Sequence, residues 1–517
     1  MVGIALLAAC SGGGAPTRDE LIDSRDNYDP RSLDPAVSTD VPTGRAVGYL
    51  FDGLTRFTPD AKVEPALAER WDVSADGMTY TFHLRSGVTF HDGSRLTART
   101  VVASWNRALA PATKSGAASF LFPIKGAKDF NGGTAKAIGG LLAHDDSTVV
   151  VTLAEPLAIF TKMLAMPVAA IVPEKVPDNF GEHPIGTGPW KLVEWKHDDY
   201  LLFAKNPSYY GGAPKSDTLR ARIIAEPSTA VAEFESGNVD ILQIPATEAG
   251  DWMEDESRQP WLKSTPALEL VYVGINTARG PLKDARVRQA INCAVDVPRI
   301  IERLISGRGT RAAGVIPPVL TGYDSTRKPY QYDTTKARAL LREAGYPNGI
   351  DVELWVGMVP NYLRIAETMQ AYLNAVGIRT KIVQRESAAA RAAARKGETD
   401  MILKDWYADY PDAEDFLYPL LHSANKGSGG NVSFYQNPTF DSVVTASRRE
   451  LDETKRNALY RRADSLAFND APMVFLYFYD ELYAVQPWLK HFVPPVIFNG
   501  QRWTDVTIEH ATGSGKK

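Results

Sequence analysis

Cysteine is nearly missing from this 517-residue chain, which has two, Cys10 and Cys293. At most one disulfide can form, so no disulfide framework holds the fold. Histidine is sparse as well: its eight copies are scattered, at 83, 91, 144, 183, 197, 422, 491 and 510, with no pair at metal-ligand spacing. No run rich in Lys and Arg occurs and the formal net charge is -5. That balance excludes the concentrated basic surface a nucleic-acid partner needs. No stretch approaches the ~18 consecutive apolar residues of a membrane-spanning helix. Catalytic signatures are also lacking. There is no H-E-x-x-H, no G-x-S-x-G and no P-loop, and the S-x-x-K spacings at Ser423 to Lys426 and Ser325 to Lys328 have no companion motifs. The chain reads as a non-enzyme with no cofactor and no metal.

What is present is material for burial, with 44% hydrophobic and 23% charged residues, the mix of an ordinary globular protein. Hydrophobic cores stop growing near roughly 250 to 300 residues, so a chain of this length is expected to divide into at least two lobes. At the amino terminus, small apolar residues end in Leu7-Ala8-Ala9-Cys10, followed by Ser11-Gly12-Gly13-Gly14-Ala15-Pro16-Thr17. This resembles a bacterial lipobox, in which cleavage before the cysteine frees it to carry lipid, and the Gly/Ser stretch suits a flexible tether. The apolar run is short for a signal segment and has no Lys or Arg ahead of it. If Cys10 carries lipid, Cys293 has no partner and reads as a small residue on the apolar face of a helix.

Local patterns then give the organisation. Asp19 to Phe57 should hold a strand, a crossing loop and a helix around 46–54. Between Trp71 and Leu84, alternating apolar residues flank Ser74-Ala75-Asp76-Gly77, a hairpin signal. Thr97 to Leu109 has helical spacing with Thr97 as its cap. Strands are expected at 148–153, within 190–204 and at 269–276, and a single helix at 287–306 closed by Gly307. After a helix at 336–344, the order strand 352–356, helix 363–376, strand 380–385 predicts a wound α/β unit with a largely parallel sheet.

Several segments together resemble the family 5 extracellular solute-binding proteins, the oligopeptide- and dipeptide-type receptors of bacterial ABC importers. They are Tyr49-Leu50-Phe51-Asp52-Gly53-Leu54, Pro65 to Trp71, Asp76 to Arg85, Phe90-His91-Asp92-Gly93, Gly186-Thr187-Gly188-Pro189-Trp190, Tyr209-Tyr210-Gly211-Gly212, Leu282 to Ala290 and Glu343 to Gly349. The resemblance covers about Asp29 to Trp488. It implies an α/β, periplasmic-binding-protein-like fold of the class II type, with two hinged lobes and an extra inserted domain. Lobe I would comprise 18–55, 184–265 and 486–510, the inserted domain 56–183, and the other lobe 266–485, with 1–17 as signal remnant and tether and 511–517 as a disordered tail. It further implies a monomeric receptor outside the cytoplasm, anchored to the membrane through Cys10, that hands its cargo to a permease and ATPase complex.

A short peptide presents a cationic amine, a carboxylate and main-chain groups that lose water on enclosure, and each must find a partner. In Trp406-Tyr407-Ala408-Asp409-Tyr410-Pro411-Asp412 the resemblance assigns Asp409 to the amine, with Trp406, Tyr407 and Ala408 offering main-chain groups and aromatic walls. Asp412 and Asp415 are read as loop carboxylates. Thr39-Asp40-Val41-Pro42 falls where relatives run an edge beside the ligand, and Val41 and Thr39 would act through their backbone. Tyr477, Tyr479 and Asn431 are further candidates for the cleft wall. One departure bears on the cargo. Dipeptide-specific relatives clamp the ligand carboxylate with an Arg in the stretch that here reads Trp355-Val356-Gly357-Met358-Val359-Pro360, and no Arg is present. That departure weakens strict dipeptide binding and leaves open oligopeptide or dipeptide cargo, with a same-family receptor for another solute, oligosaccharide, haem or a nickel chelate, as the alternative.

Overall fold

The computed structural model describes residues 18–359, 361–427 and 430–509. The expected anchor at Cys10 with its tether, and the expected tail at 511–517, lie outside the described residues.

An eleven-stranded sheet forms the spine. Across it run, in order, Ile378–Arg385, Ile350–Gly357, Met401–Tyr407, Leu262–Ile275, Met473–Val485, Ile241–Gln243, Glu20–Asp26, Thr218–Ile223, Tyr200–Lys205 and Trp190–Lys196, and Gly309–Arg311 also pairs with Met473–Val485. The two longest strands, Leu262–Ile275 and Met473–Val485, are antiparallel neighbours. Their centres, Leu270-Val271-Tyr272-Val273 and Phe475-Leu476-Tyr477-Phe478, are aliphatic and aromatic and buried on both faces. Their pairing slips between Pro266 and Leu270, where a proline has no N–H for the ladder.

The sheet corrects the expectation of largely parallel pairing. Ile350–Gly357 is parallel to both its neighbours and Glu20–Asp26 to both of its own. The other pairings in the sheet are antiparallel. Strand-helix alternation reports only the local crossovers, and the long strands that join the two halves run against them.

Separate apolar clusters cover the ends of this sheet. One packs Val271, Ile291, Ile365, Leu403 and Leu476 together, and another gathers Leu21, Tyr49, Trp190, Phe203 and Trp503. A second sheet, Ala68–Val73, Thr79–Leu84, Thr148–Thr152 and Leu141–Ala143, is antiparallel. Its hairpin is the one read from sequence. Gly77 takes a φ of 68°, Ser74 N–H donates to the Thr79 carbonyl at 2.9 Å, and Asp76 accepts from Met78 N–H. The helix Ala98–Leu109 begins with a capping box between Thr97 and Thr100. Its Trp105 is fully buried and donates to the Ala169 carbonyl. This sheet shares one cluster with Leu417, Phe440 and Tyr460, so residues from both halves of the chain complete that core.

Two helices differ from expectation. The helix expected at 287–306 is two, Ala285–Ala294 and Val297–Leu304. Asp284 and Asp296 each cap one, and Pro298 lies in the first turn of the second. A proline tolerates that position and would break a continuous helix by removing an N–H and clashing with the preceding turn. The helix expected near 46–54 is Val41–Leu50, starting earlier because Asp40 accepts from Thr43 N–H at 3.0 Å and Pro42 fits the first turn. Cys293 is a free, buried residue within a core cluster.

Candidate functional site

The strand Met401–Tyr407 carries the first element of the site. Side chains alternate between its faces, so Trp406 and Tyr407 diverge. Tyr407 pairs across from Glu269 and faces a cavity. Trp406 turns its indole toward Asp415 (3.4 Å) and Gly430, and it does not line that cavity. Ala408 N–H continues the ladder to the Leu268 carbonyl at 2.8 Å, which carries Asp409 just beyond the strand end.

A second segment meets it. The cap of the Val41–Leu50 helix places Thr39, Asp40 and Val41 at the same cavity, whose volume is about 590 Å³. Tyr407, Ala408 and Asp409 form the opposing wall, and Gly116, Phe120, Met166, Arg395 and Phe498 are among the other lining residues. Two segments some 370 positions apart in sequence, each marked as a candidate by its own motif, thus face one space. Val41 stands in the first helical turn, so this segment is a helix entrance and not a strand edge at that residue.

The electrostatics of the Asp409 loop follow from burial. Asp409 N–H donates to Asp415 Oδ2 at 2.8 Å. The Asp415 carboxyl is fully buried; burial first, then the Asp409 and Glu414 charges, push it well above the usual carboxylate range. Asp409 opens to the cavity, and the surrounding protein pushes its carboxyl up to about 6. Two close carboxyls cannot both ionise cheaply, so within this pair the charge is favoured on Asp409 over Asp415. Asp412 serves the loop as expected: it pairs with Lys162 at 2.5 Å and accepts from Glu414 N–H at 2.9 Å.

Other candidates fall elsewhere. Tyr479 lines a neighbouring cavity of about 280 Å³ with Arg308 and Glu481. Tyr477 lines neither of these cavities: it is 2% exposed within the apolar cluster around Val271 and Leu476. Asn431 is corrected too. Its side chain is completely buried, its amide donating to the Leu421, His422 and Tyr435 carbonyls and its oxygen accepting from Tyr435 N–H. No face of that side chain remains for a ligand.

Sequence reasoning missed Arg395, Arg308 and Glu269. The first two gain meaning only from tertiary placement. Glu269 left a signal, being a carboxylate in the apolar run Leu268-Glu269-Leu270; burial, then the Asp405 and Glu481 charges, push it up to about 8.

Residues 62–428 match the family described as bacterial extracellular solute-binding proteins, family 5 middle. A haem-binding protein of Haemophilus influenzae is 32% identical over 433 residues, covering 80% of this chain and 78% of that protein. A dipeptide-binding protein of Escherichia coli is 32% identical over 474 residues, covering 86% of this chain and 87% of that one. Among solved structures, a periplasmic murein tripeptide binding protein in its unliganded open form superposes with a TM-score of 0.83 at 26% identity, over 96% of this chain and 99% of the other.

Proposed function

Since the chain belongs to the bacterial extracellular solute-binding proteins, family 5, the solute receptors of ABC importers, we propose that its cargo is a short peptide whose amine is received by Asp409. The observation that carries this reading is the pairing of an unpartnered carboxylate with two main-chain segments around one cavity. Among the described residues no cation stands at ion-pair distance from Asp409, whereas the buried carboxylates Asp23, Asp52 and Asp412 each have one. An ammonium entering the space beside Tyr407 and Thr39 supplies the missing charge. The 39–41 segment and Ala408, whose N–H is held by the Leu268 carbonyl, border the cavity, which supports main-chain contact with the peptide independent of side-chain identity. Similarity to a dipeptide-binding and a tripeptide-binding protein supports the class of cargo.

In this reading two lobes close about the crossing strands Leu262–Ile275 and Met473–Val485, with residues 56–183 as an added domain. Likeness to an unliganded open form supports a chain that stands open before cargo arrives. Cys10 carries lipid and holds the monomeric receptor at the membrane beside its permease. Among the described residues no helix is long and apolar enough to cross a membrane.

A thermal-shift screen of di- to hexapeptides, oligosaccharides, nickel chelates and haem tests the assignment. A ligand at 100 times its Kd stabilises the folded state by about 2.7 kcal/mol. Peptides should raise Tm; a shift with haem, sugar or nickel and none with peptides would overturn the reading.

A further inference from the structure

Lys162 reaches across 249 positions of sequence into the Asp409 loop. Its ammonium donates to the Pro411 carbonyl at 2.8 Å and pairs with the Asp412 carboxylate at 2.5 Å. Asp412 is 2% exposed, whereas the lysine keeps a quarter of its side chain in solvent. The lysine therefore neutralises a buried carboxylate without being fully desolvated itself, and a buried carboxylate left alone would be costly. Two more contacts come from the same part of the chain. Phe120 meets Tyr410 edge to face with ring centres 6.3 Å apart. Ala158 N–H donates to the Arg448 carbonyl at 2.8 Å, and the Arg448 guanidinium pairs with Glu414 at 2.7 Å. The loop is thus gripped at 410, 411, 412 and 414 by residues that precede it by more than 200 positions or by their immediate partner.

Inside the loop, hydrogen bonds carry that grip to Asp409. The Asp412 carbonyl accepts from Asp415 N–H at 3.2 Å, and the Asp415 carboxyl accepts from Asp409 N–H at 2.8 Å. Behind Lys162, the backbone is bonded to the other wall of the cavity. Thr55 Oγ1 donates to the Thr161 carbonyl at 2.7 Å and Asn499 Nδ2 to the Ala165 carbonyl at 3.1 Å. A Cβ on Gly53 would stand 2.4 Å from the Leu164 carbonyl oxygen, so glycine is what allows the two segments to approach so closely. Gly53 and Thr55 follow directly on the helix Val41–Leu50, whose entrance is the 39–41 wall. The backbone of Lys162 therefore rides with one wall of the 590 Å³ cavity while its ammonium holds the loop that forms the other.

We propose that Lys162 is a positioning residue of the amine site, a tie that fixes the Asp409 loop at a set spacing from the 39–41 wall. The inference rests on the reading of Asp409 as the amine receiver and adds the residue that holds that receiver in place. Lysine suits the task because its three donors can serve a carbonyl and a carboxylate that do not share a plane. Two other roles would give different results. A purely structural pair would support folding alone. A cation acting through space would oppose an incoming ammonium.

Calorimetry with tetra-alanine and N-acetyl tetra-alanine, together with thermal unfolding of the full chain, separates these. The wild-type protein should prefer the free amine about 30-fold or more. Lys162→Met alone strands the buried Asp412 charge, so the decisive variant is Lys162→Met/Asp412→Asn, which removes both charges and keeps an acceptor for Glu414 N–H. In it the free peptide should bind about tenfold more weakly, the low end of the cost of removing a partner that orients a ligating side chain. The acetylated peptide should bind as before, so the preference narrows. Lys162→Arg keeps a cation at the tie and should hold most of the preference. A lower Tm with the preference intact would make the pair purely structural, and tighter binding of the free peptide would make it a through-space effect. Either result overturns the positioning role while leaving Asp409 as the receiver. A wild-type protein that binds both peptides equally removes the receiver and the tie together.

Discussion

Asp409 and Asp415 form a presenter and its support: the Asp409 main-chain N–H donates to Asp415 Oδ2 at 2.8 Å, and the same oxygen accepts from the Trp406 indole at 3.4 Å. The buried carboxyl fixes the turn that aims the exposed one.

Removing that support should therefore weaken the site without touching the ligand. Asp415→Ala leaves two donors unpaired, a cost of about 1 to 3 kcal/mol in unfolding free energy for such a buried group, and should weaken peptide binding as well. Asp415→Asn keeps an acceptor oxygen and should stay near the wild-type protein. Urea unfolding with calorimetry on both variants checks this; equal peptide affinity in Asp415→Ala would show that the turn does not need its support.

Cargo affinity should fall in acid. Free Asp409 titrates near 6 because the protein around it disfavours its charge, and a bound ammonium favours that charge, lowering the value in the complex. The free protein therefore takes up a proton below about pH 6 that the complex does not. Affinity is full above that point and falls by up to about tenfold per pH unit below it. Calorimetry at pH 7.5, 5.5 and 4.5 should show the loss, with a flat profile in Asp409→Asn. A flat wild-type profile would remove Asp409 from the contact.

Membrane attachment depends in this account on Cys10. Cys10→Ala expressed in a bacterial host should move the protein from the membrane fraction to the soluble one; continued membrane fractionation would count against the anchor.

Closure of two lobes should compact the molecule. Small-angle scattering should give a smaller radius of gyration with saturating peptide than without it. The same radius in both states would argue against a hinge through Leu262–Ile275 and Met473–Val485.

Local signals are the most legible part of the sequence. The Thr97 cap and the Asp76-Gly77 hairpin are decided by a few adjacent residues, and the structure repeats them. The helix break at Asp296 is also written locally, in an aspartate followed by Pro298, but the apolar spacing on either side masks it. The mixed pairing of the large sheet is not legible, because strand direction is set by partners far apart in sequence, as with Leu270 between Trp406 and Phe478. In the site, the Asp409 segment and the 39–41 segment can be chosen through family motifs, and the fold brings them to one cavity. Tyr477 and Asn431 cannot be sorted from wall residues, since an aromatic in a strand and an amide in a loop look alike whether they face a core or a ligand.

The central claim is that Asp409 receives the amine of a peptide cargo. Calorimetry comparing a free tetrapeptide with its N-acetylated form, on the wild-type protein and on Asp409→Asn, tests it most directly. Acetylation should cost the wild-type protein about 30-fold or more in affinity and cost Asp409→Asn little beyond what the substitution has already taken. Equal binding of the free and acetylated peptides by the wild-type protein would contradict the account.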